Sequence, residues 1–325
     1  MKAVLCKEFG PVDTLVLEEV PSPTAGPGKV VISVKACGIN FPDSLIVEGK
    51  YQTKPPLPFS PGLEVAGIVK ELGEGVTGLK VGQRVLGFPG VGGLAEEVLC
   101  DDYMTFPMPD SMSYADGAGF VVTYATSHHA LKRRGHLQPG ETLLVLGAAG
   151  GVGLTAVEIG KVMGAKVIAA ASSDEKLALT RDYGADEGIN YTIENLKDRL
   201  KQLTGGKGVD VAYDPVGGAL SEQAVRSLAW MGRFLVIGFA AGEIPKIPIN
   251  LTLLKSASIV GVYWGNAMKA DPKTGREDID ELLSWYDQGK LKPCISAAYP
   301  LDRAVQAIQH VAGRQAKGKV VVVME

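Results

Sequence analysis

Thiols and imidazoles are scarce in this chain: 325 residues include four cysteines and four histidines. Cys6, Cys37, Cys100 and Cys294 are too few and too scattered for a disulfide framework. His128, His129, His136 and His310 form no H-E-x-x-H pattern or comparable cluster. Adjacent histidines on one helix point in different directions, so the 128–129 pair reads as structural or solvated. A net charge of −3 gives no electrostatic case for nucleic acid or an anionic membrane, and no basic stripe interleaved with aromatics is present. No apolar run reaches the length that spans a bilayer. MKAVLCKEFG at the start lacks a signal-peptide core and an Arg/Ser-rich transit pattern. No internal repeat or low-complexity tract is visible. The expectation is a cytoplasmic protein with no nucleic-acid and no membrane partner.

Proline and glycine, by contrast, are abundant and unevenly placed. Twelve of the nineteen prolines precede residue 123, among short apolar runs at Val30–Ala36, Glu64–Glu71 and Gln83–Phe88. Short strands with turn signals between them predict an irregular antiparallel barrel. From about Val122 the pattern becomes alternating helices and buried strands, which predicts an α/β, doubly wound parallel sheet. Helices are predicted at Glu175–Tyr183, Ile193–Leu203 and near Ser221–Met231. Strands are predicted at Gly188–Tyr191, Val209–Asp214 and Arg233–Phe239. Near the C-terminus the expectation is one helix, Glu277–Gln288, and a last strand, Lys319–Met324.

The organising stretch is ETLLVLGAAGGVGLTAVEIGKVMGAKVIAAASSDEK, Glu141 to Lys176. Thr142–Leu146 is a buried-strand run, Gly147–Gly153 a small-residue turn, and a helix follows with Val152, Ala156, Ile159 and Met163 on one stripe. Gly164 stops the helix, and Lys166–Ala171 is a second strand. Strand, glycine turn, helix, strand is the unit that holds a dinucleotide. The bare turn admits the pyrophosphate to backbone N–H groups, and the helix N-terminus supplies partial positive charge. The slots of the G-x-G-x-x-G fingerprint hold Ala148, Gly150 and Gly153, with Ala149, Gly150, Gly151 and Val152 as the expected contacts. At the end of the second strand an NAD site places a carboxylate for the ribose hydroxyls. Here Ala171 is followed by Ser172, Ser173 and then Lys176, a set that suits a 2′-phosphate and so points to NADPH. Ser-Ser-Asp-Glu-Lys also reads as a helix cap with a solvated lysine, and Asp174 and Glu175 are read as first-turn helix residues.

At NFPDSLIVEGKYQTKPPLPFSPGLEVAG, Asn40–Gly67, the chain closely resembles the zinc-free quinone oxidoreductase branch of the medium-chain dehydrogenase/reductase superfamily. That branch includes the zeta-crystallins and bacterial NADPH:quinone reductases. AAGGVG at 148–153, Asn190-Tyr191, YDPVGG at 213–218, IGFAAG at 237–242 and GKVVV at 318–322 follow in the family's order. The resemblance implies a GroES-like domain from both chain ends, 1–122 and 264–325, with a Rossmann domain, 123–263, inserted between them. In the slots where zinc relatives carry a cysteine and a histidine, this chain has Asn40 and, in Gly62-Leu63-Glu64, Leu63. The four-cysteine structural loop is also missing. No zinc is therefore expected, and losing that Lewis acid disfavours alcohol/ketone interconversion.

The resemblance also assigns residues. Asn40 is implied to bond a substrate carbonyl or the nicotinamide ribose, or else to be a turn residue before Pro42. Asp43 matches a buried acidic position that orients Asn40 or caps the helix. Tyr51 stands where enoyl-reductase cousins have a proton donor or enolate stabiliser, and equally reads as an aromatic lid. Thr126 matches the nicotinamide-side threonine. Tyr191 and Arg314 match positions around the 2′-phosphate beside Lys176. Gly238 and Phe239 are placed near the nicotinamide, and Lys319 is expected to reach the cofactor. The strand SASIVGVYWG, Ser256–Gly265, is expected to pair with its twin in a homodimer. The preferred activity is NADPH-dependent reduction of a quinone, with one- or two-electron transfer left open. The alternatives are reduction of an activated C=C bond in an enal, enone or enoyl thioester, and a nucleotide-binding protein with little turnover.

Overall fold

The computed structural model describes residues Met1–Met324, and the chain divides into two compact units. One comprises Met1–Val122 and the chain from Lys292 onward; the other is Thr123–Leu291.

In chain order the first unit contributes β1 (Lys2–Leu5), β2 (Val16–Glu19), β3 (Lys29–Ile39), β4 (Glu64–Leu72), β5 (Arg84–Gly87), β6 (Glu97–Asp101) and β7 (Thr105–Pro107). The second contributes β8 (Thr142–Leu146), β9 (Lys166–Ala171), β10 (Glu187–Asn190), β11 (Val209–Asp214), β12 (Leu228–Val236) and β13 (Ser258–Gly261). β14 (Ile295–Pro300) and β15 (Lys319–Val323) return to the first.

The first unit is organised by β3, an eleven-residue run rich in valine and isoleucine that is buried along most of its length. Its length lets one edge serve two partners. Lys29–Ser33 pairs with β6 and Ala36–Ile39 with β15, while β4 runs along the other edge. The sheet order β14-β15-β3-β4-β5-β7 is antiparallel except for the parallel pair β14–β15. This GroES-like sheet brings the last strand beside the exit of β3 at Ile39, where the helix Phe41–Val47 begins.

The second unit is a Rossmann fold: six parallel strands in the order β10-β9-β8-β11-β12-β13. Its switch point lies where β8 has β9 on one side and β11 on the other, and nucleotides bind outside the strand ends at such a point. Its core includes Leu144, Leu146, Ile168, Ile189, Ala212 and Phe234, all essentially without solvent contact.

Several elements differ from expectation. The helix predicted near 221–231 ends at Arg226, and β12 starts at Leu228 rather than Arg233. Leu228 continues the apolar stripe of Ala224 and Val225, which mimics a longer helix, but it pairs instead with Val209 of β11. β12 also stops at Val236, so Gly238 and Phe239 lie beyond it. Helices Trp264–Ala270 and Ala304–Ala312 and strand β14 were not anticipated. β14 alternates half-buried and exposed positions and offers no apolar run. The units part at Lys292, not at 264. Helix Pro272–Asp287 stays with the second unit because Asp278 holds Arg133 at 2.7 Å and Glu281 holds His128 at 2.6 Å.

Candidate active site

The turn after β8 is built by backbone. Gly147 has φ +57, and the Gly150 N–H closes onto its carbonyl at 3.0 Å. A Cβ on Gly153 would stand 2.2 Å from the Gly147 oxygen, so only glycine lets the helix Gly151–Val162 begin this close to the strand. No side chain caps that helix, and its first-turn N–H groups face outward from a dipole's positive end. Ala149 is buried, whereas Gly150, Gly151 and Val152 are half-buried. The cradle fits a dinucleotide pyrophosphate.

Beyond β9, Ser173 caps helix Asp174–Asp182 by accepting from the Lys176 N–H at 3.3 Å. The Lys176 ammonium donates to Ser172 Oγ at 3.2 Å. Both readings of this stretch thus hold together: Ser173 is the cap, and Ser172 with Lys176 is a cationic corner. Tyr191, the residue after β10, packs on the unit's core. Asn190 lies between these groups, donating to Asp174 Oδ1 at 2.9 Å.

Thr126 lies half-buried on helix Val121–His128. Sequence reasoning missed what fixes its position. The next residue, Ser127, donates to the Val152 carbonyl at 2.9 Å and meets Thr155 Oγ1 and the Tyr213 hydroxyl, each at 2.9 Å. Tyr124, on the same helix as Thr126, donates its hydroxyl to Glu158 Oε2 at 2.6 Å. Helix Val121–His128 is therefore tied to the first turns of the dinucleotide helix. Three hydroxyls from three elements leave no local pattern, although Tyr213 stands in the YDPVGG stretch. Gly238 and Phe239 lie against that stretch too. The Ala240 N–H reaches Pro215 O at 3.0 Å, and Asp214 shapes the turn by accepting from Val216 N, Gly217 N and Ser221 Oγ.

In the first unit, four buried polar residues meet where β3, β4 and β15 converge. Lys319, 5% exposed, donates to Ile39 O at 2.9 Å, Asn40 Oδ1 at 2.8 Å and Glu64 Oε1 at 2.8 Å. Asn40 Nδ2 donates to Glu64 Oε1 at 2.9 Å and Gly38 O at 3.3 Å. Glu64 Oε2 accepts from Val122 N at 2.8 Å. Asp43 accepts from the N–H groups of Asn40 at 2.7 Å and Gly62 at 3.1 Å. Burial pushes the Asp43 carboxyl up to about 7, against the lowering effect of those N–H groups and of Lys319. Gly38 is obligatory, because a Cβ there would lie 1.9 Å from Ala118 O.

Two expectations change. An ammonium has three N–H groups, and Lys319 places them on three protein oxygens, so it has no donor left for a cofactor. Both Asn40 amide N–H groups are likewise engaged, which leaves only an acceptor lone pair on Oδ1. Flipping the amide would set its NH₂ against the ammonium, so this orientation is fixed by the network. Asn40 can therefore accept from a hydroxyl but cannot donate to a carbonyl. The slot does not suit zinc either. Asn40 and Leu63 supply neither thiolate nor imidazole, and the oxygens of Asn40 and Glu64 already carry an organic cation. Tyr51 is half-buried in the irregular segment after Gly49, and Arg314 is exposed with φ +57 after helix Ala304–Ala312. Both belong to the first unit, while Lys176, Tyr191 and Thr126 belong to the second.

Among the described residues, one histidine stands with two carboxylates. His128 has no solvent exposure and sits with Asp278 and Glu281. Both carboxylates already hold cations, Arg133 and Lys132, which makes the group an ion-pair network that fixes helix Pro272–Asp287.

Residues 26–110 match the family described as alcohol dehydrogenase GroES-like domain, and residues 151–288 match that described as zinc-binding dehydrogenase. A quinone oxidoreductase-like protein 2 homolog of Nematostella vectensis is 44% identical, covering 99% of this chain and 88% of the relative. The crystal structure of Escherichia coli quinone oxidoreductase complexed with NADPH superposes with a TM-score of 0.93 at 28% identity, covering 99% of this chain and 100% of that one. The enoyl reductase CurK gives 0.91 at 27% identity, covering 100% and 99%.

Proposed function

The chain belongs to the quinone oxidoreductase branch of the medium-chain dehydrogenase/reductase superfamily, and from that premise we propose that it is a zinc-independent, NADPH-dependent quinone reductase. NADPH supplies the hydride; with a proton from solvent the quinone becomes a hydroquinone. The observation that carries the cofactor choice is the Lys176 ammonium on Ser172 Oγ just past β9, a corner that favours a 2′-phosphate over free ribose hydroxyls. Tyr191 joins Lys176 in the proposed phosphate-binding set of the second unit, and Arg314 of the first unit is proposed as a phosphate ligand because an arginine suits that role through its forked donors. Ala149, Gly150, Gly151 and Val152 take the pyrophosphate; Thr126, Gly238 and Phe239 take the nicotinamide half. Asn40 accepts a hydroxyl from the nicotinamide ribose, Asp43 holds the turn that presents it, and Lys319 positions its amide.

A quinone suits this site because it accepts hydride without a Lewis acid at its oxygen. The E. coli relative carrying that activity in its name supports the same choice. CurK supports a second reading, an activated C=C reductase in which Tyr51 steadies the enolate. The largely exposed edge strand β13 and the exposed Trp230 and Met231 of the same unit support a homodimer. The test is absorbance decay at 340 nm with NADPH or NADH against 1,4-benzoquinone, a 2-alkenal and crotonyl-CoA. NADPH-specific loss with the quinone alone supports the proposal. Turnover of the alkenal or thioester alone replaces it with the double-bond reading.

A further inference from the structure

Two carboxylates lie among the polar groups past β9 and β10, and one residue restrains both. Asn190, the last residue of β10 and 6% exposed, donates from Nδ2 to Asp174 Oδ1 at 2.9 Å. Its backbone N–H donates to Glu194 Oε2 at 2.8 Å. Its Oδ1 accepts from the Thr192 N–H at 3.2 Å and from Thr192 Oγ1 at 2.6 Å. The amide cannot flip without turning its NH₂ onto the Thr192 N–H, so the donor stays aimed at Asp174. Past β9, Ser172 and Lys176 of helix Asp174–Asp182 form the cationic corner.

We infer that Asn190 determines cofactor specificity as a positioning residue, by holding the Asp174 carboxylate away from the ground that Ser172 and Lys176 offer a 2′-phosphate. The inference rests on the NADPH reading proposed above. Asp174 opens the first turn of its helix, where a negative charge is favourable. That same charge, free to rotate, repels a phosphate dianion and suits the ribose hydroxyls of the unphosphorylated cofactor. Tethering keeps the helix benefit while removing the repulsion. Because Asp174 is exposed, the penalty on its release is screened and modest.

The test measures binding of 2′,5′-ADP and 5′-AMP to the full-length protein by calorimetry. Asn190→Ala is expected to weaken 2′,5′-ADP about three- to fivefold, less at high salt, and to leave 5′-AMP within twofold. Adding Asp174→Asn to that variant restores the affinity. Equal loss for both ligands, or a loss the second substitution leaves in place, overturns the inference and makes Asn190 a purely structural residue. Should Asn190→Ala fail to fold, Asp174→Ala decides alone. It is expected to leave 2′,5′-ADP within twofold, because the carboxylate is already held aside. A gain of fivefold or more would show that Asp174 opposes the phosphate despite Asn190. If the unaltered protein does not prefer 2′,5′-ADP to 5′-AMP, the NADPH reading itself fails.

Discussion

The two units use their polar groups in opposite ways. At Gly147–Gly153 side chains are nearly absent and the backbone N–H groups of an uncapped helix are left for a ligand. Where β3, β4 and β15 meet, the buried side chains of Lys319, Glu64 and Asn40 bond one another while buried Asp43 holds the backbone N–H groups of Asn40 and Gly62, with a single acceptor lone pair of Asn40 remaining. The first arrangement presents backbone donors of the kind that bind anions. The second is an organic ion pair that orients one amide. Under the proposed function the second unit supplies binding strength and the first orients the reacting end.

The sharpest way to break this contrast is to remove the cation from the first unit. Lys319→Met leaves Glu64 buried and unpaired, which is expected to lower stability by about 3–5 kcal/mol in urea denaturation. Adding Glu64→Gln removes the stranded charge and should recover most of it. A loss under about 1 kcal/mol would mean that the ion pair is not what holds this cluster.

Asp43 gives a pH signature that the turn cannot. Its carboxyl titrates at about 7 in the fold against an ordinary 3.8. A raised value means the folded state favours the proton. The stability it contributes is complete below about pH 4 and is lost as pH rises through about 7. The full span is about 4 kcal/mol at most. Denaturation midpoints of the native protein minus those of Asp43→Asn should carry this falling slope between pH 4 and 7; a flat difference would place the carboxyl's titration elsewhere.

In the second unit the expected effects fall on binding. Gly153→Ala sets a Cβ 2.2 Å from Gly147 O, and the strain should cost about 1–3 kcal/mol and weaken NADPH by about tenfold or more. Gly150→Ala, with 3.4 Å to the same oxygen and φ −79, should fold normally, and thermal melts separate the two. Smallest is Lys176→Ala, expected to raise the NADPH KM about tenfold, or about 1.4 kcal/mol, while NADH kinetics barely move. Equal changes with both cofactors would remove Lys176 from the phosphate site.

What could be read from the chain follows the same contrast. β8, β9 and β11 occupy the residues expected of them, because strands buried on both faces appear as continuous apolar runs bounded by glycine. The Gly147–Gly153 turn was legible because its requirement is small side chains, with glycine at four of seven consecutive positions. The buried pairing of Lys319 was not legible, because its partners Asn40 and Glu64 are 279 and 255 residues away along the chain. Pairing of β15 on one edge of β3 and of β4 on the other brings them together. Asp174 is the first-turn helix residue expected of it, but its tether to Asn190, sixteen residues on, has no local signal. Strand β14 offers no apolar run to read, whereas helix Ala304–Ala312 carries a readable stripe, Ala304, Ala307 and Ile308, within a short alanine-rich segment.

The central claim is that hydride transfer here runs on NADPH without zinc, with the Lys319–Glu64 pair orienting Asn40 in the former ligand slot. The most direct measurement is NADPH:benzoquinone turnover on protein dialysed against a chelator, with metal content determined on the same sample. The account predicts undiminished turnover at negligible zinc and no gain when zinc is added back. Activity that disappears with the metal and returns with zinc would contradict it.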